Sequence, residues 1–158
     1  MNKLIKLGNN NYGGIDMNNN MNVLDEINKG CFMGIDALDI VIKKVEDPDF
    51  KELLENQHQE YVDLTNRIDE LYRVYSDKEA HETDMMTKAM TWYGIQKDTI
   101  LDDSVSKLAD LLINGTNMGI IEGRKLINNK KMDKKVHKLC CDNTKMQENY
   151  IEKLKKFL

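Results

Sequence analysis

Two sets of residues in this chain have types and spacings that bear on chemistry. Gln57, Tyr61, Asn143 and Gln147 stand at positions otherwise reserved for apolar side chains, two of them one helical turn apart in each half of the chain. Amides and a phenol are hydrogen-bonding groups rather than nucleophiles or acid-base catalysts at neutral pH. Sunk into a core, they either satisfy one another as a polar layer that fixes helix register, or line a small cavity that binds a neutral polar ligand or an ion. The second set is Glu55-Asn56-Gln57-His58, which puts a carboxylate and an imidazole at i and i+3 on one side of a helix.

The polar set comes with small partners. Counting back from each predicted turn places it opposite Gly30, Gly34, Gly115 and Gly119, with Cys31 and Thr116 beside it. Each glycine inside a helix costs about 1 kcal/mol relative to alanine, so something must offset that cost. Either the helices approach closely there, or room is left for bulky polar side chains and water.

These glycines belong to a repeat. Gly30-Cys31-Phe32-Met33-Gly34-Ile35 recurs as Gly115-Thr116-Asn117-Met118-Gly119-Ile120, an offset of 85 with four of six positions identical. Further along, an offset of 86 pairs Phe50 with Val136, Leu53 with Leu139, Gln57 with Asn143, Tyr61 with Gln147 and Ile68 with Leu154. One helical hairpin is written twice.

The elements that hold these residues follow from periodicity. Val23, Ile27, Cys31, Leu38, Val41 and Val45 recur at helical spacing and predict a first helix. Asp47-Pro48-Asp49 stops it and starts a second, which runs from Asp49 to about Tyr75 with Phe50, Leu54, Leu64 and Ile68 inward. Asp103 or Ser104 opens a third helix, carrying Leu108, Leu112, Met118 and Leu126 toward the core. Asp133 caps the last, with Val136, Leu139, Cys140, Tyr150 and Leu154 on its stripe. Residues 76–103 have no counterpart in the repeat and form the crossover between hairpin one, 22–75, and hairpin two, 104–158. Within the crossover, Met85, Met86, Ala89, Met90 and Tyr93 predict a shorter fifth helix packed over one side or end of the bundle. Residues 1–20, rich in Asn and Gly, read as a disordered tail, and Met17 or Met21 could serve as the first residue of the product.

The composition agrees with an all-α single domain of 158 residues: 32% charged, 41% hydrophobic and one proline. Twenty-three basic and 27 acidic residues are mixed along every segment, so no basic footprint for nucleic acid or anionic membrane exists. No stretch reads as a secretory signal or a membrane span. Three cysteines, Cys31, Cys140 and Cys141, offer neither metal spacing nor a disulfide framework, which leads us to expect reduced thiols in a cytoplasm. Cys140 falls on the core stripe. Cys141 points roughly 140° from the stripe's centre and is expected to be an exposed thiol with no adjacent base. Trp92, at the edge of the connecting helix, reads as part of a contact surface.

Two antiparallel hairpins joined by a long crossover make a four-helix bundle. The chain here resembles the ferritin-like superfamily, and most closely a small uncharacterised family in which a short extra helix joins the hairpins. The residues that carry the likeness are Gly34-Ile35-Asp36 before Asp47-Pro48-Asp49-Phe50-Lys51, the connecting Met86-Thr87-Lys88-Ala89-Met90-Thr91-Trp92, and Gly115 to Glu122. It covers about residues 21 to 158. The resemblance implies a di-iron or di-manganese centre built from a Glu on each of two helices and a Glu-x-x-His on each of the others. Asp36, Glu55, His58 and Glu122 are the candidate ligands here, but the second half of the site is missing: Asp36 corresponds to Ile121, Glu55 to Cys141 and His58 to Thr144. Glu55 and His58 also lie roughly 140° and 80° from the centre of their helix's apolar face.

The expectation is therefore a non-enzymatic, ferritin-like bundle without a complete di-metal site or bound cofactor. It would act through a protein partner or self-association, with Phe32, Met33 and Ile40 as a second apolar strip suited to a homodimer. The alternative implied by the resemblance is a metal-dependent redox or stress-response protein that uses iron or manganese.

Overall fold

The computed structural model describes residues 17–76 and 103–158. They form four helices: α1, Met17–Ile42; α2, Pro48–Tyr75; α3, Val105–Asn129; and α4, Lys134–Leu154, which a 3₁₀ turn at Lys155–Phe157 closes. The protein is all-α over these residues, and no described helix is long and apolar enough to cross a membrane. The expected fifth helix, with Met85, Met86, Ala89, Met90, Trp92 and Tyr93, lies outside the described residues, as do residues 1–16.

The caps at the hairpin turns form as their residue types dictate. The Asp47 carboxylate accepts the Phe50 backbone N–H at 2.8 Å, and Pro48 occupies the first turn of α2, where a missing N–H costs nothing. The Asp133 carboxylate accepts from the Lys135 and Val136 N–H groups at 3.1 Å each. The start of α1 corrects the expectation of a disordered segment through Asn20, because Met17–Asn20 is the helix's first turn. Asn20 is buried, and its Oδ1 accepts the Asp133 backbone N–H at 2.9 Å. An asparagine that reads as low complexity in sequence is thus a tertiary contact, which sequence spacing alone does not reveal.

The same contact fixes the topology. It sets the α3–α4 turn against the start of α1, at the opposite end of the bundle from the α1–α2 turn. There, Phe50 and Phe157 pack with ring centroids 4.8 Å apart and rings tilted by 42°. Helices α1 and α3 are antiparallel neighbours, as are α2 and α4. Helices α2 and α3 therefore run in the same direction, and Ser76 and Asp103 lie at opposite ends of the bundle. Between the two ends, the interior is filled by Leu24, Leu38, Val41, Leu54, Ile68, Leu108, Val136 and Leu154, all essentially removed from water.

The Asn20–Asp133 junction can be tested by urea denaturation. Asp133→Ala should lower stability by about 1 kcal/mol through the lost cap. Asn20→Ala, which leaves a backbone donor without its buried partner, should cost about 1–3 kcal/mol.

Candidate functional site

Halfway along the bundle, Tyr61 on α2 and Gln147 on α4 meet across the two hairpins. Gln147 Nε2 donates to the Tyr61 hydroxyl at 3.3 Å, and both residues are buried. Each is backed by a glycine from the other helix of its own hairpin. A Cβ on Gly34 would fall 2.7 Å from the Tyr61 ring, and one on Gly119 would fall 2.6 Å from Gln147 Nε2. No other residue type fits these approaches without displacing its neighbour, which is what offsets the helix penalty of glycine there. Gly123, which sequence reading passed over, stands in the same way 2.6 Å from Thr144 Oγ1, a buried hydroxyl that donates to the Cys140 carbonyl at 2.9 Å. Gly30 departs from the expectation: a Cβ there would meet nothing within 4 Å.

Gly30 faces open space, a cavity of about 280 Å³ lined by α1 and α3. Gly115 lines it too. Its walls are apolar, with Ile27, Met33 and Leu38 from α1 and Leu112, Met118 and Leu126 from α3. Its floor is the polar set read from sequence, Gln57 and Tyr61 from α2 and Asn143 and Gln147 from α4, with Thr116 beside them. Exposed Glu26 and Glu122, with half-buried Lys29, lie at its mouth. By the offsets of 85 and 86, Ile27 pairs with Leu112, Gly30 with Gly115, Met33 with Met118, Gly34 with Gly119, Gln57 with Asn143 and Tyr61 with Gln147. All the lining residues except Lys29, Thr116 and Leu126 fall into such pairs.

The floor is buried but incompletely paired. Gln57, Asn143 and Gln147 are 1%, 5% and 2% exposed, yet Gln57 Oε1, Asn143 Oδ1 and Gln147 Oε1 have no hydrogen-bond partner among the described residues. Members of the set bond one another at Tyr61, which Gln147, Gln57 and Thr116 all approach, while the three oxygens find no partner among the described residues. Burial, with Cys31 nearby, pushes the Tyr61 hydroxyl well above its ordinary pKa, against the opposing hydrogen bonds from Gln147, Gln57 and Thr116. Burial likewise raises the Cys31 thiol. Both stay neutral at physiological pH. Asn28 of α1 is a further buried amide that sequence reading missed; it is 1% exposed, and its Oδ1 has no partner among the described residues.

The candidate metal ligands are dispersed. His58 Nε2 pairs with Asp39 Oδ1 at 3.1 Å, at a partly exposed site between α1 and α2. Asp36 is half-buried, and its carboxyl is pushed up by burial and by the neighbouring Asp39 charge. Glu55 is exposed, and Glu122 pairs with Lys125 at 2.7 Å on the surface of α3. Among the described residues, no group of three or more His, Cys, Asp or Glu side chains is arranged to hold a metal ion.

Cys31 and Cys140 are buried, whereas Cys141, expected to be exposed, is partly covered. Burial, with Cys141 adjacent, pushes the Cys140 thiol up to about 12, and its Sγ lies 3.7 Å from Met132 Sδ. Cys141 is half-buried and corrects the expectation of no adjacent base: His137, one turn earlier, places Nδ1 3.7 Å from its Sγ. That i, i+4 spacing was present in the sequence.

The chain matches no family model, no curated protein and no solved structure.

Two measurements follow. Gly30→Ala should raise stability by about 0.4–1 kcal/mol, since the methyl group has room and the unfolded chain loses freedom. Gly34→Ala should lower it by about 1–3 kcal/mol as the rigid Tyr61 ring is displaced. Gly119→Ala should fall between them, because the far end of Gln147 can move. A maleimide added to the folded protein should label Cys141 quickly, and Cys31 and Cys140 only at the rate of unfolding.

Proposed function

We propose that the protein is a non-enzymatic helical bundle, ferritin-like in plan, that acts by association with a second chain, either its own copy or another protein. The reading rests on Met118 and Ile121. Met118 is expected from sequence to face the core, but the two side chains are 49% and 47% exposed on α3, and Met118 lines the cavity. Met33, the repeat partner of Met118, lines the opposite wall on α1, and Phe32 and Ile40 on that helix are only half-buried. Met33 and Met118 thus face each other across a concave opening between α1 and α3, as apolar side chains do on helix-docking surfaces.

The chemistry of the interior supports a binding role. Among the described residues its fully buried polar groups are amides, hydroxyls and thiols, and burial holds the Tyr61 and Cys31 protons in place. The pairing of residues around the cavity supports the origin of the bundle in one duplicated hairpin, each copy supplying half of the floor and half of the walls.

Light scattering tests the association. Met118→Glu with Ile121→Glu should leave helicity unchanged and lower the measured mass from oligomer to monomer. A monomeric mass for the unsubstituted chain at every concentration would remove self-association and leave only a different partner. An oligomeric mass that the double substitution leaves unchanged would remove this face.

A further inference from the structure

We infer that the turn between α3 and α4 docks the bundle, end on, against an anionic lipid surface. The first observation is charge. Residues 124–138 hold Arg124 and six lysines against the single acid Asp133, in a chain that has 23 basic and 27 acidic residues overall. This corrects the expectation of no basic footprint, which rests on charge averaged along the chain. Arg124, Lys125 and Lys138 are engaged by Glu148, Glu122 and Asp142 at 2.7, 2.7 and 2.8 Å. The Asp133 carboxylate is taken up by the Lys135 and Val136 N–H groups. Lys130, Lys131, Lys134 and Lys135 are left over, all exposed and with no ion pair among the described residues.

The second observation is their place on the helix. Lys134 and Lys135 open α4, whose first turn holds no acid, although the positive end of a helix favours acids and disfavours lysine. Stability alone does not account for that choice, and the helix dipole adds to the positive field. The third is what stands beside them. The Asn20–Asp133 contact sets the first turn of α1 level with this turn, and α2 ends at the same pole. There Met17 and Val74 are 52% and 65% exposed. The nearest exposed acids on those two helices, Glu26 and Glu70, stand more than a turn back. Lysine heads ringed by apolar side chains suit a bilayer interface, where the heads meet phosphates and the apolar groups pass between them.

The shape favours a planar partner. Helix α3 has 25 residues and is about 37 Å long, several times the Debye length of about 8 Å at physiological salt. End-on contact therefore puts the four lysines within reach of lipid charge and keeps the acidic remainder of the bundle beyond it. Nucleic acid and acidic protein fit less well. Residues 124–138 contain no Phe, Tyr or Trp to stack on bases, the fork-shaped cation Arg124 is held by Glu148, and lysine is depleted at protein interfaces.

This pole is separate from the α1–α3 face, so the assignment stands or falls apart from the association reading. Sedimentation of the full chain with vesicles tests it, using phosphatidylcholine alone and an equal mixture with phosphatidylserine. A lysine held at an anionic surface contributes about fivefold to partition, so the chain should prefer the mixed vesicles by about 100-fold or more, and molar salt should remove the preference. Lys130→Gln, Lys131→Gln, Lys134→Gln and Lys135→Gln together should abolish most of it while helicity and melting temperature are kept. The same charge removed at the opposite pole, by Lys43→Gln, Lys44→Gln, Lys155→Gln and Lys156→Gln, should change partition by no more than about twofold. Met17→Ser with Val74→Ser should weaken binding several-fold and leave its salt dependence unchanged. Equal partition onto the two kinds of vesicle, partition that survives the first set of substitutions, an equal loss with the second set, or binding to a DNA duplex or to polyglutamate where the mixed vesicles are not bound would each overturn the assignment.

Discussion

The contact between Tyr61 and Gln147, each pressed against a glycine of its own hairpin, is the constraint on which the middle of the bundle depends. A hydroxyl and an amide meet at 3.3 Å between α2 and α4, and Gly34 and Gly119 let α1 and α3 come within van der Waals reach of their far sides. Slipping one hairpin past the other by a turn would separate the pair, whereas each glycine contact, internal to its own hairpin, would be kept. Apolar packing tolerates such shifts better than a polar pair does, because a lost buried hydrogen bond leaves two unmet groups. The register of the two hairpins is therefore written into a few polar and small residues, while the bulk of the burial energy comes from leucine, isoleucine and valine above and below them.

The ends of the bundle are held differently. Asp47 and Asp133 cap α2 and α4, Asn20 ties the start of α1 to Asp133, and Phe50 packs on Phe157. Along the sides, Arg67 and Lys138 converge on Asp142 at 2.7 and 2.8 Å. Although partial burial raises the Asp142 carboxyl pKa, the two cations outweigh it and hold it below the ordinary range. Such partly exposed pairs contribute about 0–1 kcal/mol each, so they set orientation more than stability. Between these ends, α1 and α3 line a cavity around Gly30 and Gly115.

Much of this was legible in the sequence, because helix periodicity, cap residues and the doubled glycine segment are local signals. The four helices, their capping aspartates and the burial of Gln57, Tyr61, Asn143 and Gln147 follow from spacing alone. What the spacing could not show were relations set by geometry across helices. Gly34 and Gly30 look alike in sequence, but Gly34 meets the Tyr61 ring of α2 and Gly30 faces the open space of the cavity, a difference set by what stands across from each. Met118 sits on the apolar stripe of its helix, but that stripe is wider than the surface its neighbours cover, so Met118 remains half-exposed. Asn20 needed its partner 113 residues away before its role could be seen. The Cys141–His137 pair was local and readable at i, i+4.

The chemical character of the centre follows from which groups occupy it. A carboxylate layer in a helical bundle must hold cations or protons to remain buried, and so becomes a place for metal or acid-base work. Amides carry no net charge and are buried at the lower cost of one hydrogen bond per polar atom. Here that cost is met for Gln147 Nε2 and unmet for three oxygens in a single layer, at the level where the two glycine pairs thin the wall. Among the described residues, the fully buried polar side chains are amides and hydroxyls, so the centre holds no buried charge that would need a cation or a proton beside it.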